Sequence, residues 1–403
     1  MTRLRLPEIT LWRALVGIIF AAGLWATYLR FAKGFQVATN LSNAQPWGIW
    51  VGLATLCGVG LSAGGFTIAG AVYLLGMERY RPVLRAAVMI AFLGYVSVVA
   101  GYAWELGLPW NFWHPLVMWN RASVLFEVVW CITLYTTVLA LEFSPALVEK
   151  LPWKSVREFY LRWHHRVLIA LVLVGVLLSS LHQSYLGGLF IIFKGKMYPL
   201  WYSNYLTTMF YMSAIPAGIS MVIMALYLSV RSLNVRIDLR ILDDFSRIIA
   251  PMLVLFTLFR FADLAKQHAL GYLFKPVIET AYFWGEMALF VAAPLVLFNL
   301  PSVRRKPIGL YWVSAVTIAG FMVHRMNVSI TSLERATHAG YVPKWPELAV
   351  TLMLVTAAVV AFRFAVLHLN ILPRTVVETP QPPFQLPRMT GHVFPAHPSA
   401  AVN

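Results

Sequence analysis

The stretch GYAWELGLPWNFWHPLVMWNRASVLFEVVWCITLYTTVLALEF, residues 101–143, holds two apolar runs joined by a short polar and aromatic turn. The first run ends at Glu105, and the second carries a carboxylate, Glu127. Glu127 lies about ten residues into the second run, which predicts a depth of roughly 15 Å at a rise of about 1.5 Å per residue. Lipid tolerates such a group only when it is neutralised, paired or turned toward a polar cavity, so it is a candidate functional residue. We expect the remaining helices to enclose this hairpin.

The composition identifies the class of protein. Of 403 residues, 60% are hydrophobic and only 12% are charged, and the mean hydropathy is +0.71. These values are typical of a polytopic membrane protein. No segment shows the alternating pattern of a membrane barrel, so an all-α fold in the lipid bilayer is predicted. The net charge of +16 does not indicate a nucleic-acid partner, because most Lys and Arg residues lie at the ends of apolar runs.

Apolar runs of spanning length predict about ten transmembrane helices within a single membrane domain, residues 1–372. Gly64 with Gly65 and Pro216 are predicted break points in two long helices. The predicted spans are 11–32, 47–76, 83–106, 117–143, 164–186, 203–230, 247–264, 276–299, 308–330 and 346–370.

The Lys and Arg residues gather on one side of the predicted bundle, together with both chain ends. By the positive-inside bias this side is cytoplasmic, so both termini are predicted in the cytoplasm. From Pro373 onward the chain is rich in Pro, Thr and small residues. Residues 373–403 are therefore predicted to form a disordered cytoplasmic tail.

Glu127, Cys131 and Tyr135 follow one another at intervals of four, so they share one helix face. A carboxyl and a phenol on one face can pass a proton to or from a bound quinone. The alternative is an interhelical hydrogen bond that only fixes packing. Glu142 lies farther along the same helix, near the basic side. It is either a solvated helix end or the point at which protons enter.

The turn and its neighbours supply candidate ligands for a quinone head group. A histidine can donate to a quinone carbonyl, and polar residues at a helix N-terminus favour developing negative charge. Anchoring at the membrane interface is the competing interpretation, since tryptophan is common there. The candidate residues are Glu105, Trp110, Asn111, His114, Asn120, Arg121, Ser123 and His182.

The chain shows little that predicts a metal site. Cys57 and Cys131 stand alone in apolar runs, which predicts inert packed thiols and neither an iron–sulfur nor a zinc site. A b-type haem needs histidines on facing helices at equal depth. His182 is the best candidate, and no partner at its depth is evident, so no haem is expected.

Later helices carry further polar pairs. Arg260 and Asp263 at a spacing of three can form a salt bridge, and Glu279 and Glu286 at a spacing of seven can continue a proton route or line a polar seam. Arg325 and Asn327 form a polar spot toward the opposite side from the termini. A structural role in helix packing is the favoured interpretation of these residues.

The chain resembles the NrfD/PsrC family of membrane subunits, and within it the HybB-like branch. The stretches that carry the resemblance are WGIWVGLATLCGVGLSAGGF (residues 47–66), WELG followed by the WNFWHP turn, WNRASVLFEVVWCITLYTTVLALEF (residues 119–143), HQSYLGGL (residues 182–189), FWGE (residues 283–286) and HRMNVS (residues 324–329). Where the family often has Asp-Leu-Gly-Arg-Pro, this chain has Glu105-Leu106-Gly107-Leu108-Pro109.

The resemblance implies a ten-helix subunit of the bacterial inner membrane, usually without haem, that exchanges electrons with menaquinone or ubiquinone. Its implied partners are an extracytoplasmic ferredoxin-like iron–sulfur subunit and the small and large subunits of a nickel–iron hydrogenase. The family carries carboxylates at the positions of Glu127 and Glu142 that are thought to handle protons. Alternatives are a related subunit of a sulfur-compound or nitrite reductase or of another respiratory complex, a secondary transporter, and a dihaem cytochrome b.

Overall fold

The computed structural model describes residues 10–373, except Ala44, Asn234, Arg236, Leu239, Ala339 and the side chain of Val124. It contains ten helices of membrane-spanning length and hydropathy, so the predicted all-α fold and helix number are confirmed. They are α1 (Leu11–Lys33), α2 (Trp50–Tyr73), α3 (Glu78–Glu105), α4 (Leu125–Val148), α5 (Lys154–Ile191), α6 (Leu206–Ser232), α7 (Arg240–Lys266), α8 (Ile278–Asn299), α9 (Pro307–Thr337) and α10 (Trp345–His368).

Several of these spans are not uniform α-helix. Wider π-helical turns occur where a span begins, ends or passes a polar group, as such turns often do at functional positions. They cover Leu29–Lys33, Trp50–Cys57, Ala288–Ala292 and Asn327–Thr331. Short helical turns outside the spans cover Phe35–Ala38, Pro109–Asn111, His114–Val117, Leu270–Phe274 and Pro301–Arg304.

The structure corrects four details of the predicted helices. α4 begins several residues later than predicted, because the segment before Val124 forms turns. The predicted break at Gly64 and Gly65 lies instead at Ser62, where the helix is interrupted by a turn. α6 continues through Pro216 without a break. α5, with 38 residues, is the longest helix because it begins well before His164.

The two ends of the bundle differ in chemistry. One, the basic end, contains the α2–α3, α4–α5, α6–α7 and α8–α9 connections, which are tied by the ion pairs Arg79–Asp244 (2.7 Å), Arg85–Glu149 (2.6 Å) and Arg304–Asp243 (2.8 Å). The other, the aromatic end, contains the 106–124 turn and the 192–205 segment. The predicted cytoplasmic side is the basic end. The end of α10 also lies there, because Asn370 bonds to Arg85 and Glu149.

The helices pack as two bundles, α2–α5 and α6–α9, while α1 and α10 pack on each other and α10 also covers α3. We call these the first and second bundles. α6 contacts both α2 and α5, so it forms the interface between the bundles. Gly64 of α2 and Gly218 of α6 meet backbone to backbone at this interface: a Cβ added to Gly64 would overlap the Gly218 carbonyl, and one added to Gly218 would overlap the Gly64 amide. Small residues allow such close approach of membrane helices.

The predicted tail lies outside the described residues, apart from Pro373. Its disorder, and the division of the chain at residue 372, stay predictions.

Candidate functional site

Glu127 is nearer the helix end than predicted. It lies in the first turn of its helix, because helical structure begins only at Val124. Its side chain is half-buried, close enough to Cys131 and Tyr185 for electrostatic interaction. The predicted depth of roughly 15 Å is therefore wrong. Residues Asn120 to Ser123 form turns instead of the first turn of a longer helix, and this moves the carboxylate toward the aromatic end.

The predicted ligands of the turn are exposed or half-buried. Asn120 and Arg121 are exposed: the Asn120 side chain accepts a hydrogen bond from the Ala122 amide (3.2 Å), and the Arg121 guanidinium lies over Trp119. Trp110 is 64% exposed, whereas Asn111 and His114 are half-buried. The His114 ring packs edge-on against Trp113, with ring centroids 4.3 Å apart. Ser123 precedes the helix as its N-cap without a side-chain hydrogen bond. Their role as quinone ligands stays a prediction.

Glu105 ends α3, and a residue of another helix holds the chain around it. Arg30 of α1 is buried and donates to the carbonyls of Trp104 (2.9 Å) and Leu106 (2.7 Å), one on each side of Glu105. The guanidinium also packs over Phe35. No structural role of Arg30 was predicted from the sequence, because an arginine near a helix end is usually an interfacial charge.

Replacement of Arg30 by Lys is expected to destabilise the protein by about 1.5–3 kcal/mol, because an ammonium group cannot make both planar hydrogen bonds. The thermal unfolding midpoint of the purified protein measures this change. Lys33→Gln, at the exposed end of the same helix, is the matched control and should leave the midpoint unchanged. Equal midpoints for both variants would contradict the assigned role of Arg30.

Tyr135 is fully buried in the first bundle, near polar side chains of α3 and α5. Its ring packs edge-on against Tyr95 of α3, with centroids 4.6 Å apart. The Tyr95 hydroxyl in turn shares a 2.9 Å hydrogen bond with Nδ1 of His182 on α5. Ser179, one turn earlier on α5, lies beside both phenols. The Tyr135 hydroxyl, the Ser179 hydroxyl and the second ring nitrogen of His182 have no well-oriented hydrogen-bond partner among the described residues.

Glu142 lies two turns beyond Tyr135 on the same helix face. Gly175 of α5 packs against both residues: a Cβ at this glycine would lie 3.3 Å from Oε1 of Glu142 and 3.7 Å from the Tyr135 ring. The glycine therefore leaves room between the carboxylate and the phenol. We call Glu142, Tyr135, Ser179, Tyr95 and His182 the polar row.

A cavity of about 210 Å³ reaches Glu142 from the basic end. Its polar lining includes Tyr73, Arg85, Glu149 and His164. A cavity of this size holds several water molecules, each of which occupies about 30 Å³ in the liquid. Glu142 is half-buried and lies where this cavity, which is large enough for water, meets the polar row.

Two of the charged residues that line the cavity, Arg85 and Glu149, form an ion pair. Burial raises the pKa of the Glu149 carboxyl, but hydrogen bonds from Arg85 and Asn370 lower it by more, so the net pKa lies below its usual value. Glu149 is thus ionised and paired at neutral pH. The His164 ring bonds to the Leu141 carbonyl at 3.1 Å, and His164 and Glu142 both line the cavity. Glu142 has no ion-pair partner in the described residues.

The side chains of the polar row are of the kinds that exchange protons. Carboxyl, phenol, hydroxyl and imidazole groups each both give and accept a proton or hydrogen bond. Glu142, Tyr135 and His182 were predicted from the sequence. Tyr95, Ser179 and Gly175 were not, because they resemble ordinary residues of apolar helices. His164 was placed at a helix start, whereas the structure puts it inside α5. Only the packing of α3, α4 and α5 brings these groups together.

The second bundle contains another buried polar cluster, around Glu286. Glu279 and Glu286, predicted to line one proton route or polar seam, have different partners: Glu279 lies 3.6 Å from Arg335, whereas Glu286 bonds to His324 at 2.7 Å. Nor does Asp263 pair with Arg260 within 4 Å; it accepts a hydrogen bond from Gln267 at 2.6 Å. Among the described residues, no group of three or more His, Cys, Asp or Glu side chains is arranged to hold a metal ion.

Comparison with known proteins identifies relatives of this architecture. The family model described as "Polysulphide reductase, NrfD" matches residues 37–337. A protein of Nitratidesulfovibrio vulgaris is 35% identical over 89% of this chain and 93% of its own length. The Escherichia coli "Probable Ni/Fe-hydrogenase 2 b-type cytochrome subunit" is 29% identical over 85% of this chain and 88% of its own. The N. vulgaris "Menaquinone reductase, integral membrane subunit" is 24% identical over 92% and 94%.

Proposed function

This chain belongs to the NrfD family, and on this premise we propose that it is the quinone-reactive membrane subunit of a respiratory oxidoreductase complex in the bacterial inner membrane. Two electrons from a partner subunit and two protons convert a bound quinone to quinol, or the reverse. The observation that carries the proposal is the polar row, which leads from a water-sized cavity at the basic end into the first bundle. A subunit that only anchors its partners needs no such row.

The quinone head group binds at the aromatic end of the first bundle. There Glu127 is half-buried beside Cys131 and Tyr185, and His182 presents an unpartnered ring nitrogen deeper in the bundle. Glu105, His114 and Asn120 at the same end are candidate hydrogen-bond donors or acceptors to the quinone carbonyls. Menaquinone and ubiquinone share the carbonyl chemistry that these residues recognise. The relative named menaquinone reductase supports menaquinone.

Electrons arrive at the aromatic end from an extracytoplasmic ferredoxin-like iron–sulfur subunit. The positive-inside bias places the basic end in the cytoplasm, so the aromatic end faces the outside, where such a subunit docks. Protons enter from the cytoplasm through the cavity at Glu142 and pass along the polar row. Turnover then moves charge across the membrane, because electrons and protons reach the quinone from opposite sides.

The donor complex is a nickel–iron hydrogenase with its small and large subunits. The relative from E. coli supports this assignment, and the relative named menaquinone reductase supports the alternative of a different quinone reductase complex. Affinity purification of the tagged chain in mild detergent, with mass spectrometry of the bound proteins and extracted quinones, tests both. Hydrogenase subunits with a near-equimolar quinone support the proposal. Redox subunits of another type with quinone support the alternative, and a chain without quinone or redox partners overturns both.

Glu127→Gln is expected to lower the rate of quinone reduction by roughly 100-fold, the lower end of what a general acid or base contributes. The glutamine keeps the shape of the side chain but cannot exchange a proton. Hydrogen-pulse experiments on proteoliposomes that contain the complex measure both quinone reduction and charge movement. The exposed Glu158, near the start of α5, supplies the control Glu158→Gln with an expected rate equal to the wild type. Unchanged charge movement in Glu127→Gln would count against proton exchange at this residue.

A further inference from the structure

The second bundle encloses a carboxylate that accepts hydrogen bonds from three donors. Glu286 of α8 accepts from Nε1 of Trp201 (2.8 Å) and Nδ2 of Asn327 (2.9 Å). Its other oxygen lies 2.7 Å from Nδ1 of His324. Glu286 is 1% exposed and His324 is completely buried. An ionised carboxylate is acceptor-only, and three N–H donors are the partners that it requires away from water.

Two arginines flank this pair. Arg260 of α7 is completely buried and donates to the Leu200 carbonyl, with Met209 against its other nitrogen (3.2 Å). Arg325 of α9 is also completely buried and donates to the Phe210 carbonyl at 2.9 Å. The Arg325 guanidinium lies against the faces of Phe210 and Phe321, 3.6 Å and 4.6 Å from the ring centroids.

Four nitrogen atoms of this cluster have no partner among the described residues. They are Nε of Arg260, Nε and Nη1 of Arg325, and Nε2 of His324. An unpaired buried polar group costs about 1–3 kcal/mol, so a set of four in one cluster indicates groups that the protein chain alone does not satisfy. Water is the ligand that fits both the arginine donors and the imidazole acceptor.

The charged and titratable groups around Glu286 and His324 come from three neighbouring helices. α7 contributes Arg260 and Asp263, α9 contributes Arg325, and the thiol of Cys57 on α2 lies near Arg325. Glu286 offsets one of the two arginines in charge, whereas Asp263 interacts electrostatically with both Arg260 and Lys266. Protonation of His324 therefore adds one positive charge to a cluster that already contains two arginines.

We propose that Glu286 and His324, with internal water held by Arg260 and Arg325, form a second proton-binding site in the second bundle. One proton binds to the hydrogen-bonded carboxylate–imidazole pair and leaves it without any other bond being made or broken. A packing role alone accounts for the bonds from Trp201 and Asn327. It does not account for a buried imidazole with a free nitrogen beside two arginines with free N–H groups.

The site lies close to the interface between the bundles. Phe321, which packs on Arg325, also fills the space above Gly60 of α2, and the Gln183 side chain next to His182 donates to the Val59 carbonyl at 2.8 Å. A negative charge on a quinone in the first bundle would favour proton uptake at the site through this interface. That coupling rests on the proposed function, whereas proton binding by the pair does not.

Infrared difference spectra of the purified complex, recorded without added quinone between about pH 5 and 9, test the proposal. We expect a carboxylate and imidazole protonation signal that is lost in both Glu286→Gln and His324→Gln. Glu279→Gln, two helical turns away and paired with Arg335, is the matched control and should keep it. A signal that persists in both test variants, or its absence from the wild type, would overturn the proposal.

A second measurement remains if the variants do not assemble. A high-resolution density map of the wild-type complex should show water within hydrogen-bond distance of Nε2 of His324 and of the free Arg325 nitrogens. A dry cluster would overturn the proposal. Failure here is distinguishable from failure of the proposed function, because quinone reduction is measured separately and depends on the polar row of the first bundle.

Discussion

Tyr95→Phe is expected to slow proton-coupled quinone reduction roughly 100-fold or more, the range that a general acid or base contributes. The substitution removes one oxygen atom and leaves the aromatic packing on Tyr135 in place. It breaks the 2.9 Å hydrogen bond to His182. The polar row would then be interrupted between α3 and α5, so protons from the cavity at Glu142 could not reach the aromatic end of the first bundle.

The measurement is the rate of quinone reduction by the complex in proteoliposomes, with the proton uptake that accompanies it. Tyr80→Phe is the matched control, because Tyr80 lies on the same helix at the basic end and packs on Phe245 outside the polar row. It should retain the wild-type rate. A Tyr95→Phe complex with the wild-type rate and stoichiometry would show that protons take another route.

Gly218→Val is expected to prevent the two bundles from packing. A Cβ at Gly218 would overlap the backbone of Ala63 and Gly64 on α2. Backbone atoms cannot move aside as the end of a flexible side chain can. The helices must therefore separate, at a cost of at least about 3 kcal/mol, the upper part of the range for overpacked cores.

The amount of assembled complex in the membrane and its thermal unfolding midpoint measure this effect. Gly285→Ala on α8 is the control, because a Cβ there meets no other atom within 4 Å. It should assemble normally and even gain slightly in stability, since alanine favours a helix over glycine by about 1 kcal/mol. Normal assembly of Gly218→Val would mean that the α2–α6 contact does not hold the bundles together.

The polar row shows why only part of the site was predictable. Tyr135 was identified because it shares a helix face with Glu127, a carboxylate in an apolar run, and Glu142 because it is a second carboxylate farther along that helix. Tyr95 and Ser179 carry no such signal, since a tyrosine or serine in a membrane helix can bond within its own helix or pack as a core residue. Their role depends on which side chains face them across α4 and α5.

Glu127 and Glu286 show two errors that arise when depth and partners are inferred from positions along the chain. The depth of Glu127 was overestimated because hydropathy counts the turn before α4 as part of the span. Glu286 was grouped with Glu279 because residues seven apart share a helix face, yet Glu286 bonds to His324, 38 positions farther on, at 2.7 Å. Periodicity describes neighbours on one helix and contains no information on the helix that packs against it.

The amino-acid sequence by itself determined the membrane class, the ten helices, the basic and aromatic ends, and the resemblance to the NrfD family. Hydropathy, charge placement and local motifs follow from chain neighbours, and lipid forces the backbone into helices. Only the tertiary structure decided that Tyr95 meets His182, that Gly64 meets Gly218, and that a cavity reaches Glu142. Those contacts join distant segments, and the physical reason is packing: shape and hydrogen bonding between helices select one arrangement that no single helix specifies.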